Sequence, residues 1–267
     1  MKFRAAVATA AAVPLALGLA ACGNSKPDAT GYEPSAPATT TTAPTPVATK
    51  TAEPVQPAPV AHLNRVTFVP AMTSAVGKQK SWHITGTMSV NGTTMMTMDG
   101  YQTAKPVAVS MVMTGQAFQG KTAKIVVIKD TGYVSIPGMT PAGKYAAFKS
   151  GSNDQLSQLV QGGDPTKIYQ SFRSSLVDAK FVGEETIGGQ QLDKYQVTVN
   201  TAKALAAQGK KVPAGVPSTL TYVMWMDKTH LIRRLTFDLS GVSMVMNMTD
   251  YNKPVHITAP PASKIVK

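Results

Sequence analysis

Sulfur offers the most chemistry in this sequence. The chain has a single cysteine, Cys22, and 14 methionines. One thiol cannot form an internal disulfide, so the folded part must rest on its core alone. A lone thiol near the N-terminus is free for alkylation. The methionines are ordered. Met96/Met98, Met111/Met113, Met224/Met226 and Met244/Met246/Met248 sit two residues apart, and Met88 occupies a similar strand-like segment. Spacing of two places each set on one face of a strand. Thioethers have three uses in such a place. They fill a core, they receive ligands of variable shape, or they ligate Cu(I). A metal needs ligands converging on one point. These methionines are spread over several strands with Val and Thr between them, and no histidine pair accompanies them.

The other reactive residues form no recognisable constellation. His62, His83, His230 and His256 have no metal-ligand spacing, and His83 and His230 read as ordinary surface residues. Gly115-Gln116-Ala117-Phe118-Gln119-Gly120-Lys121-Thr122 matches the pattern of a phosphate-binding loop. That mechanism needs a helix N-terminus directly after the loop, whereas residues 124–129 read as a strand. A hairpin loop is the better reading. There is no Gly-x-Ser-x-Gly elbow, and the acidic residues are few and scattered. No catalytic residue, resident metal or cofactor is expected.

The chemistry of Cys22 depends on what precedes it. Lys2 and Arg4 give a positive start, Val7 to Leu19 is mostly Ala, Val and Leu, and Leu19-Ala20-Ala21-Cys22 closes the segment. That order of parts is a secretory signal, and its apolar run is short for a membrane span. The last four residues have the form of a lipobox. There the cysteine sulfur takes a diacylglycerol thioether, and cleavage leaves the cysteine as first residue. Residues 1–21 are therefore expected to be a removed signal peptide. The acylated Cys22 would anchor the mature chain on the extracytoplasmic face of a cell membrane.

Residues 23–60 hold eight prolines, the run Thr39-Thr40-Thr41-Thr42 and almost no large apolar residues. Such a segment cannot offset its own ordering entropy and reads as a semi-stiff spacer, taken here as 22–62. At about 3.1 Å per residue it reaches on the order of 100 Å.

Residues 63–267 must then supply the folded domain. Alternation of apolar and polar residues dominates it. Trp82, Ile84, Met88 and Val90 share one face, while His83, Thr85, Thr87 and Ser89 share the other. Asn91-Gly92 is a hairpin turn into a return strand over 93–101. The same alternation predicts strands over 107–113, 219–226, 235–239 and 242–249. Further strands are expected near 124–129, 132–136, 179–187 and 190–200, the last two joined by Gly188-Gly189. A sheet apolar on one face and Thr/Ser-rich on the other favours antiparallel pairing. Three helical segments remain to cover the apolar face: Pro70 to Lys78, Asn153 to Gln161, and a helix opened by Asp164-Pro165 with Ile168, Phe172 and Leu176 in a stripe. So few helices for so large a sheet predict an α+β fold, a strongly bent antiparallel sheet with helices on its concave side.

The succession of short motifs toward the C-terminus adds a resemblance. Gly183-Glu184-Glu185-Thr186-Ile187-Gly188-Gly189 leads into a strand through Tyr195 and a Lys/Pro-containing loop. Tyr222-Val223-Met224-Trp225-Met226-Asp227 and Leu231-Ile232-Arg233-Arg234 follow, and Tyr251-Asn252-Lys253-Pro254-Val255 closes the series. This order resembles the LppX/LprA/LprF/LprG family of actinobacterial lipoproteins, which share the LolA fold. The resemblance implies a half-barrel with helices on its concave face, an apolar cavity, and non-catalytic binding or carriage of acylated lipids or glycolipids. It also implies a possible envelope transporter as partner.

The expected cavity lining is Met88, Met96, Met98, Met111, Met113, Met224, Met226, Met244, Met246 and Met248. Lys210 and Lys211 are candidates to meet an anionic head group. The net charge of +12, or +10 without Lys2 and Arg4, suits acidic lipid or an acidic envelope polymer. Export argues against nucleic acid. The alternatives are a lipoprotein with a solid core that docks an envelope partner through its wet sheet face, and an envelope Cu(I) binder.

Overall fold

Three two-residue turns organise the sheet. Asn91-Gly92, Gly188-Gly189 and Ser240-Gly241 have both residues at positive φ, from 49° to 79°. Turns of this kind match the right-handed twist of paired strands, and the second glycine avoids the Cβ penalty. They join β1 (Ser81–Val90) to β2 (Thr93–Ala104), β7 (Leu176–Ile187) to β8 (Gln190–Asn200), and β10 (Ile232–Leu239) to β11 (Val242–Thr249). The computed structural model describes residues 62–149, 172–207, 212 and 215–266.

The remaining strands are β3 (Val107–Thr114), β4 (Thr122–Ile128), β5 (Thr131–Ser135), β6 (Tyr145–Lys149), β9 (Thr219–Met226) and β12 (Ile265–Val266). All form one sheet of twelve, in the order β12-β6-β5-β4-β3-β2-β1-β11-β10-β9-β8-β7. Two antiparallel meanders, β1 to β6 and β7 to β11, meet where β1 pairs with β11 from His83↔Thr249 to Val90↔Val242. Among the described strands, only β12 runs parallel to its neighbour, β6.

The sheet curls around its apolar face. Two strand glycines on that face make room for the methionines. A Cβ on Gly86 would lie 2.8 Å from Met98 Cγ and 3.0 Å from its sulfur. A Cβ on Gly100 would run into the Ser110 carbonyl and come within 2.9 Å of the Met111 sulfur. Each thioether therefore lies flat over a glycine of the neighbouring strand. Glycine at such positions permits the close approach and the bend that a curled sheet needs.

Helix α1 (Phe68–Gly77) lays Phe68, Val69, Met72, Ala75 and Val76 into the core. It begins two residues before the expected Pro70. The reason lies upstream: the Asn64 side-chain oxygen accepts from the backbone N–H of Val66 and Thr67 at 2.9 and 3.2 Å, and its carbonyl accepts from Phe68. That turn starts the helical path early, and Pro70 fits inside the first turn. A short helix, α2 (Thr201–Ala206), was not expected. Asn200 caps it by accepting from the Lys203 N–H at 2.9 Å.

Other boundaries also differ from the sequence reading. Leu176 is not the third member of a helical stripe. Phe172 to Ser175 are helical, and Leu176 opens β7. Strand β10 begins at Ile232 rather than 235, and β2 runs on to Ala104. Strands β6 and β12 had no alternation to reveal them: β6 buries only Phe148, and β12 has two residues. The segment Asn153 to Gln161, Asp164-Pro165 and Ile168 lie outside the described residues.

Candidate functional site

The strand register sorts the inner face into rows that run across the sheet. One row reads Met113, Met98, Gly86, Met246, Leu235, Met224. The next reads Met96, Met88, Met244, Phe237, Tyr222. A third carries Met111, Gly100, Ile84 and Met248. Directly opposed residues in such ladders have Cβ atoms about 5 Å apart, so neighbours within a row touch. Met226 adds the tenth methionine of the set. All ten are 0–5% exposed and belong to one apolar cluster. The alternation therefore placed every one of them on the same face. They tile an area over five strands rather than converge on a point.

Aromatic rings complete this face. Phe68 of α1 meets Tyr195 edge-on at 5.4 Å, and Phe181 meets the same ring at 5.7 Å. The Tyr195 hydroxyl accepts from the Leu63 N–H at 3.2 Å, which ties the approach to α1 onto β8. Tyr222 stands between Phe172 at 6.1 Å and Phe237 at 5.8 Å. Burial pushes the Tyr222 hydroxyl far above the ordinary tyrosine range, so it stays protonated and neutral.

The outer face is less plainly wet than its sequence implies. Trp225 shares that face with Thr219, Thr221 and Val223, yet only 7% of it is exposed. Its indole N–H donates to Glu185 Oε2 at 3.0 Å, and the Lys194 ammonium and Arg234 guanidinium sit 5.0 and 5.4 Å from the ring centre. Lys194 also bonds Glu185 Oε2 at 3.0 Å. The Trp225 and Lys194 bonds hold the Glu185 carboxyl below its usual range. His83 is likewise more than a surface residue. It stacks on Tyr101 at 4.4 Å and lies 3.3 Å from Asp99.

The motif residues at the end of β9 form a second polar knot. Asp227 accepts from the Thr229 N–H at 2.8 Å, the Thr229 hydroxyl at 2.6 Å, the Leu231 N–H at 3.1 Å and Arg233 Nε at 2.7 Å. Arg233 in turn lies over the Tyr251 ring at 4.9 Å, and the Tyr251 hydroxyl donates to the Ile232 carbonyl at 2.6 Å. Lys228 bridges Glu184 and Asp193 at 2.6 and 2.7 Å. These groups are occupied with one another, and their arrangement is that of a tied turn rather than a reacting centre.

The remaining candidates are quickly placed. Gly115 to Thr122 is a hairpin loop with one 3-10 turn over Gln116–Phe118, and β4 follows it, so a phosphate would find no helix N-terminus there. Among the described residues, no three His, Cys, Asp or Glu side chains are grouped as a metal site would need. Also among them, no helix is long and apolar enough to cross a membrane. Cys22, Lys210 and Lys211 lie outside the described residues.

An open, mainly antiparallel sheet, curled over one apolar face and covered by few helices among the described residues, is an α+β half-barrel. Comparison with solved structures finds that fold again. The chain is similar to lipoprotein LppX from Mycobacterium tuberculosis, with a TM-score of 0.50 at 18% identity over 73% of this chain and 98% of that one. LprF from Mycobacterium bovis follows, with a TM-score of 0.49 at 14% identity over 73% and 94%. A fainter likeness, TM-score 0.29 at 8% identity over 77% and 99%, extends to a LolA superfamily protein from Nitrosomonas europaea. No family model and no curated protein matches the sequence. The chain thus has the LppX fold that the motif succession implied.

Proposed function

We propose that this chain is a cell-envelope lipoprotein that binds acylated lipids or glycolipids in its apolar interior and carries them without catalysis. The observation that carries the reading is the inner face itself. Ten methionines from five strands meet there in one cluster, interleaved with glycines that let the thioethers lie flat. Unbranched, polarisable side chains repack around guests of varied shape, where Leu or Val would impose one. Acylation of Cys22, with 22–62 as a tether and 63–267 as the binding domain, keeps that interior within reach of a membrane. A transporter in the same membrane would supply or receive the cargo.

Two observations favour a second reading, a scaffold with a solid core. The ten methionines are 0–5% exposed, as close-packed side chains are. The outer face also carries a polar groove of about 370 Å³ lined by Thr85, Thr87, Asp99 and Asn247, a place for a protein partner.

Native mass spectrometry of the full chain decides between them. The chain is purified in detergent from its own membrane and analysed before and after incubation with diacyl lipid. Added mass equal to one or a few lipids, released on denaturation, is expected. A chain that stays lipid-free under both conditions is a scaffold.

A further inference from the structure

A pocket of about 670 Å³ lies between α1 and the turn that leads into β7. Its composition is two-sided. Arg65, from the approach to α1, and Arg173, from the turn before β7, both line it, and so do the hydroxyl residues Thr73 and Ser74. Its apolar side is Val69 and Leu176. Val69 is buried in the inner-face cluster, and Leu176 packs against that cluster. The pocket is therefore apolar where its wall belongs to the inner-face cluster and basic at the other side. Beside it stands Val66, a valine with 79% of its surface exposed.

Both arginines are exposed, and the ion pairs found among the described residues involve neither. Lys194, Lys228, Arg233 and Lys253, by contrast, each hold a carboxylate. Two guanidinium groups from distant parts of the chain, together with two hydroxyls, form a donor set. It has ten guanidinium N–H donors and two O–H donors. A planar fork pairs with the oxygens of an anion such as phosphate through two parallel bonds, which a sugar hydroxyl cannot match.

We infer that this pocket holds the phosphate of an acidic phospholipid head group, with the acyl chains passing over Val69 and Leu176 toward the methionine face. The inference rests on the lipid-binding reading and names its ligand class. Phosphate chemistry selects the head group, and the methionines accept the chains without choosing among them.

The test uses the full chain in detergent and three probes. These are dioleoylphosphatidylglycerol, dioleoylglycerol with the same chains and no phosphate, and inorganic phosphate. Binding is titrated by native mass spectrometry for the wild type and for the double variant R65Q/R173Q. The wild type is expected to bind the phospholipid about tenfold more tightly than the neutral lipid, the factor that one retained charge-assisted contact provides. The double variant is expected to bind the two lipids equally, with its affinity for the neutral lipid unchanged.

A wild type without preference overturns the inference and leaves lipid binding standing, and this comparison needs no variant. A double variant that keeps the preference also overturns it. Competition by inorganic phosphate at concentrations equal to the lipid assigns the arginines to a free anion, against the inference. Uptake of neither lipid removes this inference and the lipid-binding reading together.

Discussion

Asp227 is the residue on which most of the C-terminal motif series turns. Burial alone would raise its carboxyl, but the bonds from Thr229, Leu231 and Arg233 outweigh burial and hold it below the ordinary aspartate value. The sign of its contribution follows. A depressed folded value means stability that is fully present above the unfolded value, 3.8, and is lost as pH falls through the folded one. Substitution D227N removes the charge and leaves Arg233 facing a neutral amide. With Arg233 partly exposed, the cost at neutral pH is about 2–3 kcal/mol, toward the lower end for breaking a buried pair. Urea midpoints measured at pH 7 should show that loss, and the curves of variant and wild type should approach each other below about pH 4. A constant gap across that range would mean that the carboxylate charge contributes little. The series Tyr222 to Asp227 and Leu231 to Arg234 was readable as a resemblance, but its role was not. That Asp227 closes a turn depends on hydrogen bonds to residues two, four and six positions on, which only the folded turn brings together.

At the scale of elements, the curl of the sheet is tied to glycines that sit under thioethers. The two cases differ in what a new methyl group would meet. At Gly100 the obstacles are the Ser110 carbonyl and the Met111 Cα, both backbone. At Gly86 the nearest obstacle is the flexible end of Met98, with the Val245 carbonyl at 3.2 Å behind it. Overpacking against backbone has no cheap relief, so G100A should cost about 2–3 kcal/mol and G86A about 1 kcal/mol. Thermal melting of the two variants checks the order, at about 2–4 °C per kcal/mol for a domain of this size. Equal losses would mean that the sheet relaxes as a whole. Strands with full alternation, such as Ser81–Val90 and Val242–Thr249, were legible because one buried face forces a period of two. Strands β6 and β12 were not, since a short strand at the sheet's end buries too little to leave a pattern. Leu176 misled for a related reason: a leucine four residues after Phe172 continues a helical stripe equally well whether or not the helix continues.

For the whole molecule, the anchor and the interior are the two features that define its proposed work. Substitution C22S should move the chain from the detergent phase to the aqueous phase on Triton X-114 partition and abolish labelling by a palmitate analogue. A variant that still partitions with detergent would be held to membrane by something other than acyl chains on Cys22. The Leu19-Ala20-Ala21-Cys22 run, the proline-rich segment after it and the one-sided methionine strands are local patterns, and local patterns are what a sequence can determine. Short-range spacing decides which face a side chain takes, which dipeptides turn, and which cysteine is free. The tertiary structure decided the rest. Rows such as Met96, Met88, Met244 exist only because β1 pairs with β2 on one side and with the distant β11 on the other. Trp225 is buried on a polar face because Glu185, Lys194 and Arg234 arrive from three other strands. Arg65 and Arg173 share a pocket because α1 packs beside the turn into β7. Each of these depends on contacts between residues far apart in the chain, and no periodicity within a segment records which distant segment will lie beside it.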